Sequence, residues 1–263
     1  MKKSFYYLTL FVALMMGATV FSSCGDDDSE QPLPPEPEGI PYFAWDDAEN
    51  KLVKKYLTEK IDTIGKASFS HNMHGGWYFV ERDNVIDIDL NILGDVHLIL
   101  ADGASLDVQG TVDGQTGREN ISIYAQSEYP EKRPQISVTS SQRSTHNGVN
   151  GNLIVNGGMV KVNSNGYGSY AVHGNLTVYN GFVELNGAYG VSGDLNVKGC
   201  QWLRITGKDR AVCGTIFFEV PYMFLLGLED TSSTNPLITS GTSSNAKRIE
   251  AVIDGQGGSS RRY

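Results

Sequence analysis

The chain has 263 residues, of which 40% are hydrophobic and 19% are charged, and it contains 30 glycines. This composition excludes an intrinsically disordered chain and is typical of a globular protein that is rich in turns. The 21 Lys and Arg residues against 30 Asp and Glu residues give a net charge of −9. Because nucleic-acid binding depends on a basic surface, we expect no nucleic-acid partner.

The first residues predict a lipoprotein signal peptide over residues 1–23. Lys2 and Lys3 precede an apolar run that ends at Val20, and small residues flank Cys24. The run is too short for a transmembrane helix. The sequence Ser-Ser-Cys-Gly around Cys24 resembles a bacterial lipobox, which implies that fatty acids such as palmitate modify Cys24 after cleavage. Because several acyl chains give a durable anchor, we expect attachment to the outer membrane.

Residues 24–39 predict an acidic, proline-rich linker. They contain six acidic residues and no basic residue, so the segment repels itself and stays extended. The three aspartates at 26–28 resemble the acidic tag of Bacteroidetes lipoproteins that are displayed on the cell surface. They also suit an ordinary solvated charge run at the start of a linker. The folded domain is predicted over residues 40–263.

One repeat organises the second half of the chain. Similar segments begin with GNLIV at Gly151, GNLTV at Gly174 and GDLNV at Gly193, and a fourth start lies at Gly214, so the spacing is 19 to 23 residues. A period near 20, with apolar residues at alternate positions, is typical of one coil of a β-solenoid. We therefore predict an all-β fold, a single-stranded right-handed parallel β-helix.

The aligned repeats place apolar residues in columns that should point into the solenoid. A period of two within each strand directs one set of side chains inward, and neighbouring strands lie about 4.8 Å apart. The predicted inward residues are Val149, Leu153, Val155, Val160, Val162, Val172, Leu176, Val178, Val183, Leu185, Val191, Leu195, Val197, Leu203, Ile205, Val212, Ile216 and Phe218. If they superpose, the interior is a continuous dry stack.

A looser alternation precedes these repeats. Ile86, Ile88, Leu90 and Ile92 are predicted on the inward side of one strand. Further apolar pairs follow at similar intervals, which predicts larger coils with insertions at residues 126–135 and 139–147.

Both ends of a solenoid need cover, because open strand edges pair with other chains. Over residues 46–61 apolar residues recur at helical spacing behind Asp46 or Asp47 as the N-cap, which predicts a short N-terminal capping helix. The apolar run at 221–228 and a short strand at 250–253 predict a closing coil at the other end.

From Gly76 onward the sequence resembles a known group of surface proteins. The segment GWYFVERDNVIDIDLNILGDVHLILADGASLDVQG, followed by NISIYAQSE, is similar to glycine-rich parallel β-helix domains in surface lipoproteins of gut Bacteroidetes. Such domains are often labelled carbohydrate-binding. The resemblance covers about residues 76–215, and it implies the same fold and a glycan-binding role.

Few residues point to catalysis. Asp87 and Asp89 are predicted on the outward side of one strand, about 7 Å apart, which suits the paired carboxylates of glycoside hydrolysis. No His or Arg accompanies them, and alternating acids are common on solvated strand faces. We therefore expect no enzymatic activity.

The histidines and cysteines do not form a recognisable site in the sequence. His71 and His74 lack a third ligand, so we expect a loop there and predict no metal and no cofactor. Cys200 and Cys213 are predicted at different corners of a coil, too far apart for a disulfide bond. We expect two buried thiols.

Three columns of outward residues are candidates for ligand binding: Met159, Phe182 and Trp202; Lys161, Glu184 and Arg204; and Tyr170, Tyr189 and Arg210. An apolar ridge, or stacked aromatic rings beside a guanidinium, can bind the faces of sugar rings. Each column has an alternative explanation. The first column would instead be covered by a loop or by the C-terminal segment. The second would then set the register by cross-strand charge pairing, and the third would pack the corner.

These patterns favour a non-catalytic cell-surface lipoprotein that binds a glycan through Tyr170, Tyr189, Arg210, Phe182 and Trp202. A structural or adhesive solenoid that binds a protein partner is the alternative from a different class. A polysaccharide lyase or hydrolase is the third possibility, and it would need a cleft that holds Asp87, Asp89 and a base.

Overall fold

The computed structural model describes residues 37–65, 69–140, 146–218, 223–228 and 238–253. The predicted signal peptide and Cys24 lie outside these residues, as does most of the predicted linker. The described part of the chain contains strands and no α-helix. Strands β1 (Ile40–Asp46) and β2 (Lys51–Leu57) form an antiparallel hairpin. The other twenty strands belong to one sheet, which winds into a parallel β-solenoid of about six turns.

The solenoid has three parallel ladders, because the chain bends at three corners in each turn. Ladder 1 contains β3 (Asp62–Thr63), the second parts of β4 (Asn72–Val80) and β6 (Leu90–Leu100), β9 (Asn120–Ala125), β12 (Asn152–Val155), β15 (Leu176–Val178), β17 (Leu195–Val197) and β19 (Thr215–Phe218). Ladder 2 contains β5 (Asn84–Ile86), β7 (Ser105–Val108), β10 (Gln135–Ser140), β13 (Met159–Ser164) and the first parts of β16 (Phe182–Val191) and β18 (Trp202–Val212). Ladder 3 contains the first parts of β4 and β6, then β8 (Val112–Gly114), β11 (Val149–Asn150), β14 (Tyr170–His173) and the second parts of β16 and β18.

The predicted apolar columns form the core. Leu176 pairs with Leu195 and Leu195 with Ile216, so the three side chains superpose along ladder 1. In the repeats, all of the predicted inward residues are buried except Phe218, which is half-buried and packs against the core. Each fully buried Val, Leu or Ile side chain contributes about 1.5–3 kcal/mol to the free energy of folding. The prediction of a dry interior stack is confirmed.

The predicted inward position of Ile88 is wrong. Ile86, Leu90 and Ile92 are buried, but Ile88 is 47% exposed. Strand β5 ends at Ile86 and β6 begins at Leu90. Ile88 therefore lies at the corner between ladders 2 and 3. The inward and outward alternation of a strand does not continue through a corner.

The predicted N-terminal capping helix is also wrong, because residues 46–57 turn and continue as the second strand of the hairpin. The Asp46 carboxylate accepts hydrogen bonds from the backbone N–H groups of Ala48 and Glu49 at 3.0 and 3.1 Å, so it closes a turn instead of starting a helix. Antiparallel pairing with β1 stabilises β2 as a strand. This pairing outweighs the weak helical tendency that the spacing of its apolar residues indicates.

The hairpin lies against the outer face of ladder 1 instead of covering an end. Tyr42 and Leu57 are buried with Ile99 and Tyr124 in a second small core. At the N-terminal end of the solenoid, Ile64 is buried in the main core and Phe69 packs against that core. Ile64 and Phe69, which lie outside the strands, therefore contribute cover that the sequence assigned to a helix.

The C-terminal end closes with antiparallel strands, which corrects the predicted closing coil. β22 (Arg248–Ile253) pairs antiparallel with β18 and with β20 (Met223–Leu228), and β21 (Thr242–Ser243) pairs antiparallel with β19. The reversal of direction ends the parallel repeat.

Candidate functional site

The outer face of ladder 2 carries the first predicted column of candidate residues. Met159, Phe182 and Trp202 lie side by side in the predicted register, and their side chains are half-buried. The Arg133 Cζ lies 3.8 Å from the centroid of the Phe182 ring, and the Arg204 Cζ lies 4.9 Å from the Trp202 ring. The column is therefore a partly accessible aromatic row in contact with cations.

A loop borders this aromatic row. Residues 126–134 connect β9 to β10, as the predicted insertion requires. Gln201 Nε2 donates a hydrogen bond of 3.5 Å to the Glu128 backbone oxygen, and Arg133 of the same loop lies over Phe182. Arg133 of the loop thus covers one ring of the row.

The second predicted column lies next to the first. Lys161, Glu184 and Arg204 occupy successive strands in register. Arg204 Nε donates to Glu250 Oε1 at 2.8 Å, and Arg248 Nε lies 3.4 Å from the same oxygen. The alternation of charge therefore continues onto β22.

An amide column completes this surface. Asn163 pairs with Asn186 in the ladder, and Asn186 Nδ2 donates to Asn163 Oδ1 at 3.0 Å. Aromatic, charged and amide side chains thus stand in parallel columns. We name this surface the ladder-2 platform and define it by Met159, Phe182, Trp202, Lys161, Glu184, Arg204, Asn163 and Asn186.

The tyrosine column lies in the predicted register but packs mainly on itself. The Tyr170 and Tyr189 ring centroids are 5.0 Å apart with an interplanar angle of 26°, and His173 stacks on Tyr170 at 5.2 Å. Arg210 Nε donates to the Ser244 backbone oxygen at 2.8 Å. Burial raises the pKa of the Tyr170 hydroxyl. These contacts agree with corner packing, the alternative explanation for this column.

An aromatic cluster beneath the hairpin was missed by sequence reasoning. The Trp77 ring stacks on His97 at 4.5 Å, and it lies 5.1 Å from Tyr42 and 5.3 Å from Tyr124. His97 Nδ1 is within hydrogen-bond distance, 3.2 Å, of the Tyr124 hydroxyl. Burial lowers the pKa of His97, and the Asp95 carboxylate opposes this shift in part. The outward positions of Trp77 and His97 on neighbouring strands were the only available signal, because the covering hairpin was predicted as a helix.

The two aspartates considered for catalysis do not share a strand face. Asp87 and Asp89 lie in the turn between β5 and β6, which corrects the predicted strand placement. Asp89 Oδ1 accepts the backbone N–H of Thr111 at 2.7 Å. This carboxylate therefore holds the next coil at the corner.

The candidate metal ligands are similarly dispersed. His74 belongs to β4, where its backbone oxygen accepts a hydrogen bond from the Tyr78 hydroxyl at 2.9 Å. The His71 ring lies beside Phe69. Among the residues that the structure describes, no group of three or more His, Cys, Asp or Glu side chains is placed to hold a metal ion.

Cys200 and Cys213 form no disulfide bond, and both are thiols as predicted. They are half-buried instead of fully buried. Burial raises the pKa of Cys200 to about 12. The Cys200 thiol therefore stays protonated at neutral pH, which suits a packing role and not a nucleophile.

The apolar cavity inside the solenoid is too small to hold an organic ligand. That cavity has a volume of about 10 Å³ and is lined by apolar side chains of all three ladders, including Leu98, Val112 and Val162. Such a space holds at most one water molecule, and its apolar walls would not bind one. The candidate binding residues of all three columns lie on the outer faces instead.

A scan against protein-family models finds no match to this chain, and neither the curated proteins nor the solved structures contain one. Within the described ranges there is also no helix with the length and hydropathy to cross a membrane.

Proposed function

We propose that this chain is a non-catalytic glycan-binding module of the cell surface. The observation that carries this function is the ladder-2 platform, where an aromatic, a charged and an amide column lie side by side. Aromatic rings pack against the apolar faces of sugar rings, while amides and charged groups bond to hydroxyls. The resemblance of about residues 76–215 to domains labelled carbohydrate-binding points in the same direction.

The regular spacing of the coils suits an extended ligand. Neighbouring strands of the solenoid lie about 4.8 Å apart, so equivalent side chains repeat along its axis. Phe182 and Trp202 occupy consecutive strands of this row. A polysaccharide that runs along the axis can therefore meet the same three columns at successive sugars.

The proposed location is the outer membrane, with the solenoid held by acyl chains on Cys24. The acidic linker at 24–39 would keep the domain away from the negatively charged cell surface, because like charges repel over about 10 Å at moderate ionic strength. The Cys24→Ser chain, expressed without residues 1–23, would carry no acyl anchor and is the form used to measure binding in solution.

The first prediction concerns Trp202. Truncation to alanine removes the largest ring of the row, so we expect Trp202→Ala to weaken glycan binding about tenfold, equivalent to about 1.4 kcal/mol. A glycan array run on the Cys24→Ser chain identifies the ligand, and titration calorimetry then measures its affinity.

Phe217→Ala provides the matched control for Trp202→Ala. Phe217 is 43% exposed and faces outward on ladder 1, away from the ladder-2 platform. We expect this control to bind like the unmodified chain. A blank array, or equal loss in both variants, would contradict a glycan site on ladder 2.

A protein-docking solenoid is the second candidate function, supported by a separate observation. Val85, Ile88 and Leu93 are 65%, 47% and 37% exposed within one early turn, and exposed apolar side chains are typical of interaction surfaces. Recovery of one partner by surface cross-linking, with no change on addition of sugars, would favour this function over glycan binding.

A further inference from the structure

We propose that the ladder-2 platform selects anionic polysaccharides, whose carboxylates or sulfate esters would bind the guanidinium groups around Phe182 and Trp202. This selectivity rests on the proposed glycan-binding function and adds the charge of the ligand to it.

Arg133 is the first cation of this surface. Its side chain is exposed, and its Cζ lies 3.8 Å from the Phe182 ring centroid. An aromatic face orients the guanidinium without consuming its N–H donors, since the attraction acts on the positive charge. Arg133 can therefore present several donors to an anion that lies beside the aromatic row.

Arg204 and Arg248 form the second cationic group, on either side of Glu250. Both contact Glu250 Oε1 through Nε, so the Nη atoms of each guanidinium provide further donors. The side chains of Arg204 and Arg248 are 40% and 48% exposed, whereas that of Glu250 is 25% exposed. An approaching ligand therefore meets the two cations before the carboxylate.

The charge of this region differs from that of the whole molecule. The chain has a net charge of −9, yet the charged column and the groups bonded to it bring three cations against two carboxylates. The cations are Lys161, Arg204 and Arg248, and the carboxylates are Glu184 and Glu250. Arg133 of the bordering loop adds a cation over the Phe182 ring, and the same loop also carries Lys132, Glu128 and Glu131.

An excess of positive charge at this surface favours a ligand of the opposite sign. A neutral polysaccharide could stack on Trp202, but it would offer the guanidinium groups no ionic partner beyond Glu250. An anionic chain satisfies both the rings and the cations. We therefore predict that a charged polysaccharide binds more tightly than a neutral one with the same sugar backbone. The contacts with the aromatic rings would be the same for both.

The experiment compares polysaccharides that share a backbone and differ in charge. Titration calorimetry of the Cys24→Ser chain is run with polygalacturonate against its methyl ester, and with dextran sulfate against dextran. The first pair tests carboxylates and the second tests sulfate esters. We expect at least one charged polymer to bind about tenfold or more tightly than its neutral counterpart, and added salt to reduce the difference.

The variant that tests the site combines Arg133→Gln and Arg248→Gln. Each exposed ion pair contributes modestly, so the double variant should weaken binding of the charged polymer about three- to tenfold. Arg118→Gln is the control, because Arg118 is an exposed arginine between ladders 3 and 1. Thermal unfolding checks that all the variants fold.

The outcomes separate the anionic selectivity from the proposed function. Equal binding of charged and neutral polymers, or an unchanged affinity in the double variant, would overturn the anionic selectivity and leave glycan binding intact. Failure of all four polymers together with a blank glycan array would overturn both. Equal weakening by Arg118→Gln would show a nonspecific charge effect and would also overturn the site.

Discussion

At the scale of single residues, Asn and Asp side chains hold successive coils in register at the corner between ladders 3 and 1. In each case a side-chain oxygen accepts the backbone N–H of a residue one coil further on. The bonds run from Asn120 to Asp95 at 2.8 Å, from Asn175 to Asn152 at 3.0 Å, from Asp194 to Asn175 at 2.8 Å and from Thr215 to Asp194 at 2.7 Å. These bonds satisfy backbone donors at a bend, where the ladder alone does not.

Two glycines at this corner are explained by space. A Cβ on Gly193 would collide with Asn175 Oδ1, and a Cβ on Gly214 would collide with Asp194 Oδ1. Neither glycine has a positive φ. The Gly193-Asp194 pair therefore combines an acceptor for the next coil with room for the acceptor of the previous coil.

The prediction at this scale is that Asn175→Ala lowers the free energy of unfolding by about 0.5–1.5 kcal/mol, because the Asp194 N–H loses its acceptor. Urea unfolding measures the loss. Asn175→Asp keeps an oxygen at the same place and should cost much less, as the native Asp194 one coil later indicates. If both variants lose the same stability, the side-chain oxygen does not hold the register.

At the scale of elements, the hairpin shows how packing overrides a local pattern. Trp45 stacks on Tyr179 at 5.2 Å, and its backbone N–H donates to Asn156 Oδ1 at 3.0 Å. The buried face of β1 packs on the aromatic residues of ladder 1. A helix over 46–61 would lose these contacts and the pairing with β1, so the spacing of apolar residues alone could not decide the structure.

The pH dependence of the hairpin follows from His97. Its pKa is lowered in the folded protein by burial, so the unfolded chain takes up a proton first as the pH falls below about 6.5. Stability should therefore decrease as the pH falls from 7 to 5. Nearby Asp95 and Tyr124 do not reverse this sign, because a lowered pKa of Asp95 and a raised pKa of Tyr124 place their titrations outside this window.

His97→Gln is the variant that tests this dependence. Because glutamine does not titrate, the variant should show a smaller decrease in thermal midpoint between pH 7 and pH 5. A decrease equal to that of the unmodified chain would assign the pH dependence to another group.

At the scale of the whole molecule, stability comes from contacts between neighbouring coils. Each coil packs on the one before and the one after it, so the stack has no single central layer. The antiparallel strands at the C-terminal end reverse the chain direction and pair with the last parallel strands. This arrangement covers an edge that would otherwise be available to another chain.

Leu195 provides the test of the stack. It is fully buried between Leu176 and Ile216, so Leu195→Ala should lower the free energy of unfolding by about 2–5 kcal/mol through lost burial and a new cavity. Asn196→Ala, at the outward position beside it, should change stability by less than about 0.5 kcal/mol. Comparable losses in urea unfolding would contradict the assignment of inward and outward faces.

The repeat made much of the fold predictable. Alternation within each strand and a period near 20 residues identified the inward columns, and the three outward columns followed from the same alignment. Coil stacking is a local and regular interaction, so equivalent residues in the sequence become neighbours in space. For this reason the register of Phe182 and Trp202, and that of Tyr170 and Tyr189, could be predicted before any coordinates.

The sequence by itself thus determined the solenoid, its core and the register of its surface columns, because those depend on a periodic pattern that the chain repeats. Only the tertiary structure decided the hairpin, the corner at Ile88, the antiparallel closure and the cations around the aromatic row. Each of these depends on contacts between residues that the repeat does not relate, such as Arg133 with Phe182 and Trp45 with Tyr179. Such contacts are made once in the molecule, so no period in the sequence records them.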